Sequence, residues 1–202
     1  MRLSISEGKY LMTLARRAIF EYIVSGKRIK ADKKEGVLCE KRGVFVTLST
    51  HPSHELRGCI GHPLPVMPLA EAVIENARHS AFSDPRFPPV QKDELALIAI
   101  EISVLDVPEI IKVKTPLEYP KKIKVGRDGL IVKSGWYSGL LLPQVPVEWG
   151  WKEEEFLSQT CAKANLPTGA WKEGKVEILK FSAQIFSEET PGGKVAEKKI
   201  QE

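Results

Sequence analysis

The hydrophobic period of this chain switches repeatedly between about 3.6 and 2, without the steady strand-helix-strand beat of a doubly wound protein. From Leu11 the apolar positions run Leu11, Leu14, Ala15, Ala18, Ile19, Tyr22 and Ile23. That spacing predicts a helix with one buried stripe, which Ser6 can cap and Gly26 can stop. Gly43 to Ser49 predicts a strand, which runs through a polar loop into Leu56-Arg-Gly-Cys-Ile-Gly61, where glycines mark a tight turn or a close backbone approach. Pro68 suits the first position of a second helix, with Leu69, Ala72, Val73 and Ala77 facing inward and its end near Ser80.

Further along, Asp84-Pro-Arg-Phe-Pro-Pro-Val90 holds three prolines and predicts a loop fixed by its side chains. Leu95 to Val107 predicts a largely buried strand, and Ile123 to Lys133 a hairpin turning at Arg127-Asp-Gly129. A loop over 138–145 then leads to a helix from Lys152 to Ala164, whose three first-turn glutamates suit the helix dipole. The final strand spans Val176 to Phe186. Between the first helix and first strand, Lys27 to Arg42 has seven Lys or Arg against three acids and reads as an exposed connector. The fold class is therefore α+β, an antiparallel sheet flanked by helices. The 202 residues suit one domain over 1–190, divisible into two subdomains, with a flexible tail over 191–202.

Several classes of function fall away. With 43% apolar and 28% charged residues the chain can build a core, which disfavours a disordered protein. Thirty Lys and Arg against 26 Asp and Glu leave a formal charge of +4, a far weaker field than a DNA-coating protein carries. No stretch approaches a membrane span or a secretory leader, and the three cysteines, Cys39, Cys59 and Cys161, suggest no disulfide framework. The chain reads as cytoplasmic, without a membrane partner. No dinucleotide fingerprint, phosphate-binding loop, G-x-S-x-G or H-E-x-x-H occurs, and no cofactor is implied.

The residues that could carry chemistry cluster near the middle. His51, His54 and His62 lie within twelve residues of one another together with Cys59, but their spacing matches no standard zinc pattern, so no metal site is assigned. Cys59 is either a packed thiol or a nucleophile, with Arg57 lowering its pKa, free backbone N–H groups holding an oxyanion and a loop histidine as base. Arg57, Asp84, Arg86, Arg127 and Asp128 are charges in turn-rich or apolar settings. They either pair with one another or form an anion-binding cleft. Lys112 to Lys124 and Lys27 to Lys34 are solvated faces or weak nucleic-acid contacts. Trp149 and Trp151 read as core or helix-entry residues, and Cys161 as core.

At Leu56-Arg-Gly-Cys-Ile-Gly61 the sequence resembles the AMMECR-one family, named for the chromosomal region of Alport syndrome, midface hypoplasia and elliptocytosis. GVFVTL, PLAEAV, AFSDPRFPPV, EISVL, VGRDGLIV, GLLLPQV, EWGWKEEEFL and CAKANLP follow in family order over residues 5 to 188. The resemblance implies a two-part α+β fold, with a smaller lobe and a cleft near RGCIG, and no established activity. Its motifs fall on Arg57, Gly58, Cys59, Gly61, Asp84, Arg86, Arg127, Asp128, Pro143 and Gln144. Pro146 and Asn165 depart from it, and the histidines stand outside it. The resemblance also implies Memo-like or radical S-adenosylmethionine proteins as partners in a modification pathway, and a link to transcription, replication, repair or translation.

Two functional readings stand. In one, an enzyme-like cleft protein uses Cys59 as nucleophile, with Arg57 and Arg86 holding a small anionic substrate and Asp84 and Asp128 orienting those two arginines. Gly58, Gly61, Arg127, Asp128 and Gln144 would then line the ligand site. In the other, the chain is a non-enzymatic adaptor for a protein or, at weak affinity, a nucleic acid.

Overall fold

A computed structural model describes residues 2–32 and 36–198. In chain order the elements are α1 (Ile5–Ser25), β1 (Gly43–Thr50), β2 (Leu56–His62), α2 (Leu69–Phe82), β3 (Ile98–Leu105), β4 (Glu109–Ile110), α3 (Tyr119–Lys122), β5 (Gly129–Ser134), β6 (Tyr137–Leu141), α4 (Gln144–Glu148), α5 (Glu153–Lys163), β7 (Glu177–Phe181), β8 (Ala183–Glu188) and β9 (Val195–Lys198). They form an α+β fold with two antiparallel sheets, ordered β2-β1-β3-β8-β9 and β4-β7-β5-β6. The chain divides into two compact units, one running up to Leu105 and resuming at Gln184–Lys198, the other spanning Asp106–Ala183.

In the first unit α1 buries Leu11, Leu14, Ala15, Ala18 and Ile19, as its spacing dictates. Its cap is Ser4 rather than Ser6. The Glu7 N–H donates to Ser4 Oγ at 3.3 Å and the Ser4 N–H donates to the Glu7 carboxylate at 2.7 Å, a reciprocal pairing that needs the glutamate three residues on. Gly26 ends the helix as expected, its N–H donating to Tyr22 O at 2.9 Å. The helices α1 and α2 contribute to one core with the inward residues of the sheet, Val44, Val46, Leu48, Ile98, Ile100, Ile102, Val104 and Phe186. The connector is less exposed than its charge predicts, because a 3-10 turn at Gly36–Cys39 buries Val37 and Leu38. Lys33, Lys34 and Glu35 lie outside the described residues.

In the second unit a separate core joins Leu130, Val132, Phe156, Leu157, Trp171 and Ile178, with Cys161 fully buried as expected. The hairpin predicted at Arg127-Asp-Gly129 is misplaced. Its positive φ belongs to Gly126, at 81°, within a turn where Asp128 accepts the Lys124 N–H at 2.9 Å. The strand pairs instead across Gly135-Trp136, with Ser134 opposite Tyr137 and φ of 57° at Gly135. The expected loop over 138–145 is in fact most of β6 followed by the start of α4.

The predicted strand Val176 to Phe186 is two strands in different sheets, broken at Ser182. Alternation continues through the break, so the change of partner leaves no mark on the pattern. The expected tail is also partly structured: β9 pairs with β8, with Val195 opposite Glu188. Residues 199–202 lie outside the described residues.

Candidate functional site

β2 lies beside β1 with Cys59 opposite Thr47 and Gly61 opposite Phe45. Helix α2 comes unusually close to it. The Ile60 N–H donates to Ser80 Oγ at 2.8 Å, while that hydroxyl donates to Val46 O at 2.7 Å. One turn earlier, Asn76 Nδ2 donates to Val44 O at 3.2 Å. A Cβ at Gly58 would collide with the Ser80 carbonyl oxygen, so the close approach read from the glycines is real and Gly58 sits at its tightest point.

The chain leaves α2 and brings Asp84 beneath the Cys59 backbone. The carboxylate, 2% exposed, accepts the Cys59 N–H at 2.8 Å. It also accepts Arg86 Nε at 2.9 Å and Nη2 at 2.7 Å, a bidentate pair. Arg86 Nη2 reaches Cys59 O at 3.2 Å, yet the Arg86 side chain keeps 52% of its surface. The surface therefore presents the cation and hides its partner. Hydrogen bonds from Arg86 hold Asp84 far below the usual carboxylate range although burial pushes it up, and the carboxylate in turn raises Arg86.

Arg57 is nine-tenths buried and pairs with Glu94, Nε to Oε1 at 2.7 Å and Nη2 to Oε2 at 3.1 Å, which lowers the Glu94 pKa. The guanidinium carbons of Arg57 and Arg86 stand 5.9 and 5.5 Å from the Phe87 ring centre. Arg57 Nη1 is buried with no hydrogen-bond partner among the described residues. Cys59 is half-buried, and the Thr47 hydroxyl donates to its Sγ at 3.4 Å.

Cys59, Arg57, Asp84 and Arg86 thus come together in the first unit. Glu94, Phe87, Thr47, Asn76 and Ser80 complete the arrangement and were not legible as site residues. Only Asn76 and Ser80 carried a signal, as polar residues four apart beside the apolar stripe of α2. Two parts of the nucleophile reading are corrected. The Cys59 and Ile60 N–H groups are already bonded to Asp84 and Ser80, so neither is free for an oxyanion. No loop histidine is bonded to the thiol: His62 Nδ1 lies 3.3 Å from Asn76 Nδ2, and His51 packs edge-on against His54. Among the described residues no three His, Cys, Asp or Glu side chains group as metal ligands.

Arg127, Asp128 and Gln144 belong to the second unit. There Asp128, 6% exposed, holds Arg127 Nε at 2.8 Å and Nη2 at 2.7 Å, so the arginine it orients is Arg127 and not Arg57 or Arg86, and Arg127 stays 56% exposed. Gln144 opens α4 with its Oε1 buried and without a hydrogen-bond partner among the described residues. Trp149 is 69% exposed and stacks on Trp151 at 5.9 Å, which corrects its reading as core. No helix among the described residues is long and apolar enough to cross a membrane.

Comparison with known proteins adds the family. Residues 12–186 match the profile of the AMMECR1 family. A protein of Pyrococcus abyssi is 56% identical over 199 residues, 96% of each chain. One from Methanocaldococcus jannaschii is 52% identical over 198 residues, 98% of each. The crystal structure of an uncharacterized protein from Pyrococcus horikoshii matches with a TM-score of 0.89 at 54% identity, covering 96% of this chain and 97% of that one.

Proposed function

The chain belongs to the AMMECR1 family, and we propose that its first unit binds a small anionic ligand at Arg86 with the Cys59 thiol as the reacting group beside it. The observation that carries this reading is the asymmetry of the Asp84–Arg86 pair, a carboxylate 2% exposed orienting a guanidinium that is 52% exposed next to a half-buried thiol. Arg86 offers its outward edge to a carboxylate or phosphate oxygen. Arg57, tied to Glu94 and packed on Phe87, positions that corner and does not itself need to touch the ligand. In the enzyme-like form of the reading, the Cys59 thiol gives its proton to solvent and its sulfur forms a bond to an electrophilic carbon of the bound anion as that carbon's leaving group departs with the bonding electron pair.

Paired alkylation tests it. Iodoacetate is an anion and iodoacetamide its neutral analogue, and both alkylate a thiolate by displacing iodide. The exposed Cys39 serves as internal control. The rate ratio of iodoacetate to iodoacetamide should be about threefold higher at Cys59 than at Cys39, and Arg86→Gln should remove the excess. Equal ratios at the two thiols would sink the anion site. A Cys59 rate no greater than that of a free model thiol would remove the covalent step.

A second reading, a binding module without chemistry, draws on the second unit. Trp136 at the β5–β6 turn is fully exposed and Trp149 largely so, as stacking platforms for a partner would be.

A further inference from the structure

The first unit holds a cavity of about 700 Å³ to which no residue of 56–62 contributes. Its walls include Met12, Ile19 and Phe20 of α1, Leu95 ahead of β3, Ile98 at the start of β3, and Val195 of β9. The size lies within the range of small-molecule sites, roughly 300–1,000 Å³. Phe20 is 48% exposed, so an aromatic ring stands half-wetted at a cavity whose other large apolar lining residues are aliphatic or thioether side chains. Lys9, Thr13, Arg16 and Phe20 follow one another at helical spacing, which lays a cationic and an apolar group along one edge of the same cavity.

The charges around it are unbalanced. Glu188, buried, is bonded to Arg16, whose Nη2 also donates to Ile98 O at 2.8 Å, and Glu188 accepts the Ile100 N–H at 3.0 Å. That pair is self-neutralising and fixes the cavity wall. Lys9, Arg17 and Lys194 add three further cations to the lining. Arg17 faces Asp32 only at 4.0 Å and Lys194 faces Glu189 at 3.2 Å, both pairs well exposed, so water already competes for them and an incoming anion can as well.

We infer that this cavity is a binding site for a linear amphipathic anion, a medium-chain carboxylate, with its chain against Met12, Ile19, Phe20 and Leu95 and its head group at Lys9 and Arg17. Apolar walls alone would accept any oil, and the cations alone any anion. Their juxtaposition selects a molecule that is both. The site is independent of Cys59 and of the reading above.

Titration of the full chain with octanoate, decanoate and dodecanoate below their micelle concentrations, followed by calorimetry, decides the matter. Saturable one-to-one binding is expected, with affinity rising about fourfold per added methylene until the cavity is full. Dodecanol should bind at least about tenfold more weakly than dodecanoate, and the doubly charge-reversed Lys9→Glu, Arg17→Glu chain should lose a similar factor. Both residues are exposed, so the fold should survive, as circular dichroism will show. Thr13→Trp, which fills the mouth from an exposed position, should abolish binding by a separate route. Absence of saturable binding, equal affinity for dodecanol, or binding to anionic vesicles without binding of monomeric dodecanoate would each overturn the assignment.

Discussion

Asp84 is the residue on which the candidate site turns, because one buried carboxylate orients both the Cys59 backbone and the Arg86 side chain. Its pKa is lowered chiefly by the hydrogen bonds from Arg86, and that of Glu94 chiefly by Arg57. A carboxylate with a lowered folded-state pKa adds stability that is complete above its unfolded value, about 3.9 for Asp and 4.3 for Glu, and is lost as pH falls through the folded value. Urea unfolding should therefore show no contribution to the pH dependence from these two groups above about pH 5, and a progressive loss below about pH 4. Asp84→Ala should cost about 1–3 kcal/mol at pH 7, by leaving the Cys59 N–H without its acceptor, and flatten the acid limb. An unchanged acid limb in that variant would show that Asp84 is not its source. The sequence made Asp84 and Arg86 visible because a charge inside a proline-rich turn needs a partner. It could not reveal Glu94, which stands 37 positions from Arg57 on a turn of ordinary polar composition.

Elements whose burial is one-sided and local were the legible ones. α1, α2, α5 and β1 lay a recurrent apolar stripe into a core, while β3 was marked by its β-branched run, which is buried on both faces. Elements defined by their partners were not. The run from 176 to 186 keeps its alternation while it passes from one sheet to the other, and β9 is a four-residue edge strand recognised by what it pairs with. The seam between α2 and β2 is where two elements are held by polar groups as well as packing, and it makes a sharp prediction. Gly58→Ala should destabilise the chain by about 2–3 kcal/mol, because the obstructing atom is the backbone oxygen of Ser80, which cannot rotate away. Ser80→Ala should cost about 1–3 kcal/mol by leaving the Ile60 N–H unpaired. Thermal or denaturant unfolding measures both, and a neutral Gly58→Ala would show that the seam can open.

For the whole molecule, the formal charge of +4 bounds what electrostatics can supply to a polyanionic partner. Binding through Z phosphate contacts weakens with a log-log salt slope of about 0.9Z on duplex DNA. Labelled DNA and RNA titrated at about 150 mM salt should bind no more tightly than roughly 10⁻⁴ to 10⁻⁶ M, without regard to sequence. Nanomolar affinity that falls when Lys121, Lys122 and Lys124 become Ala, but persists in Cys59→Ser, would favour the binding-module reading instead. The chain path has its own consequence. The second unit begins where β3 ends and finishes where β8 begins, these strands are neighbours in one sheet, and the Asp106 N–H donates to Ser182 O at 2.9 Å. Entry and exit are thus one hydrogen bond apart, so the 106–183 segment is topologically a cassette inserted between two adjacent strands. Excising it would leave a gap that a tight turn can bridge, and a second cassette with equally close ends could be grafted in its place.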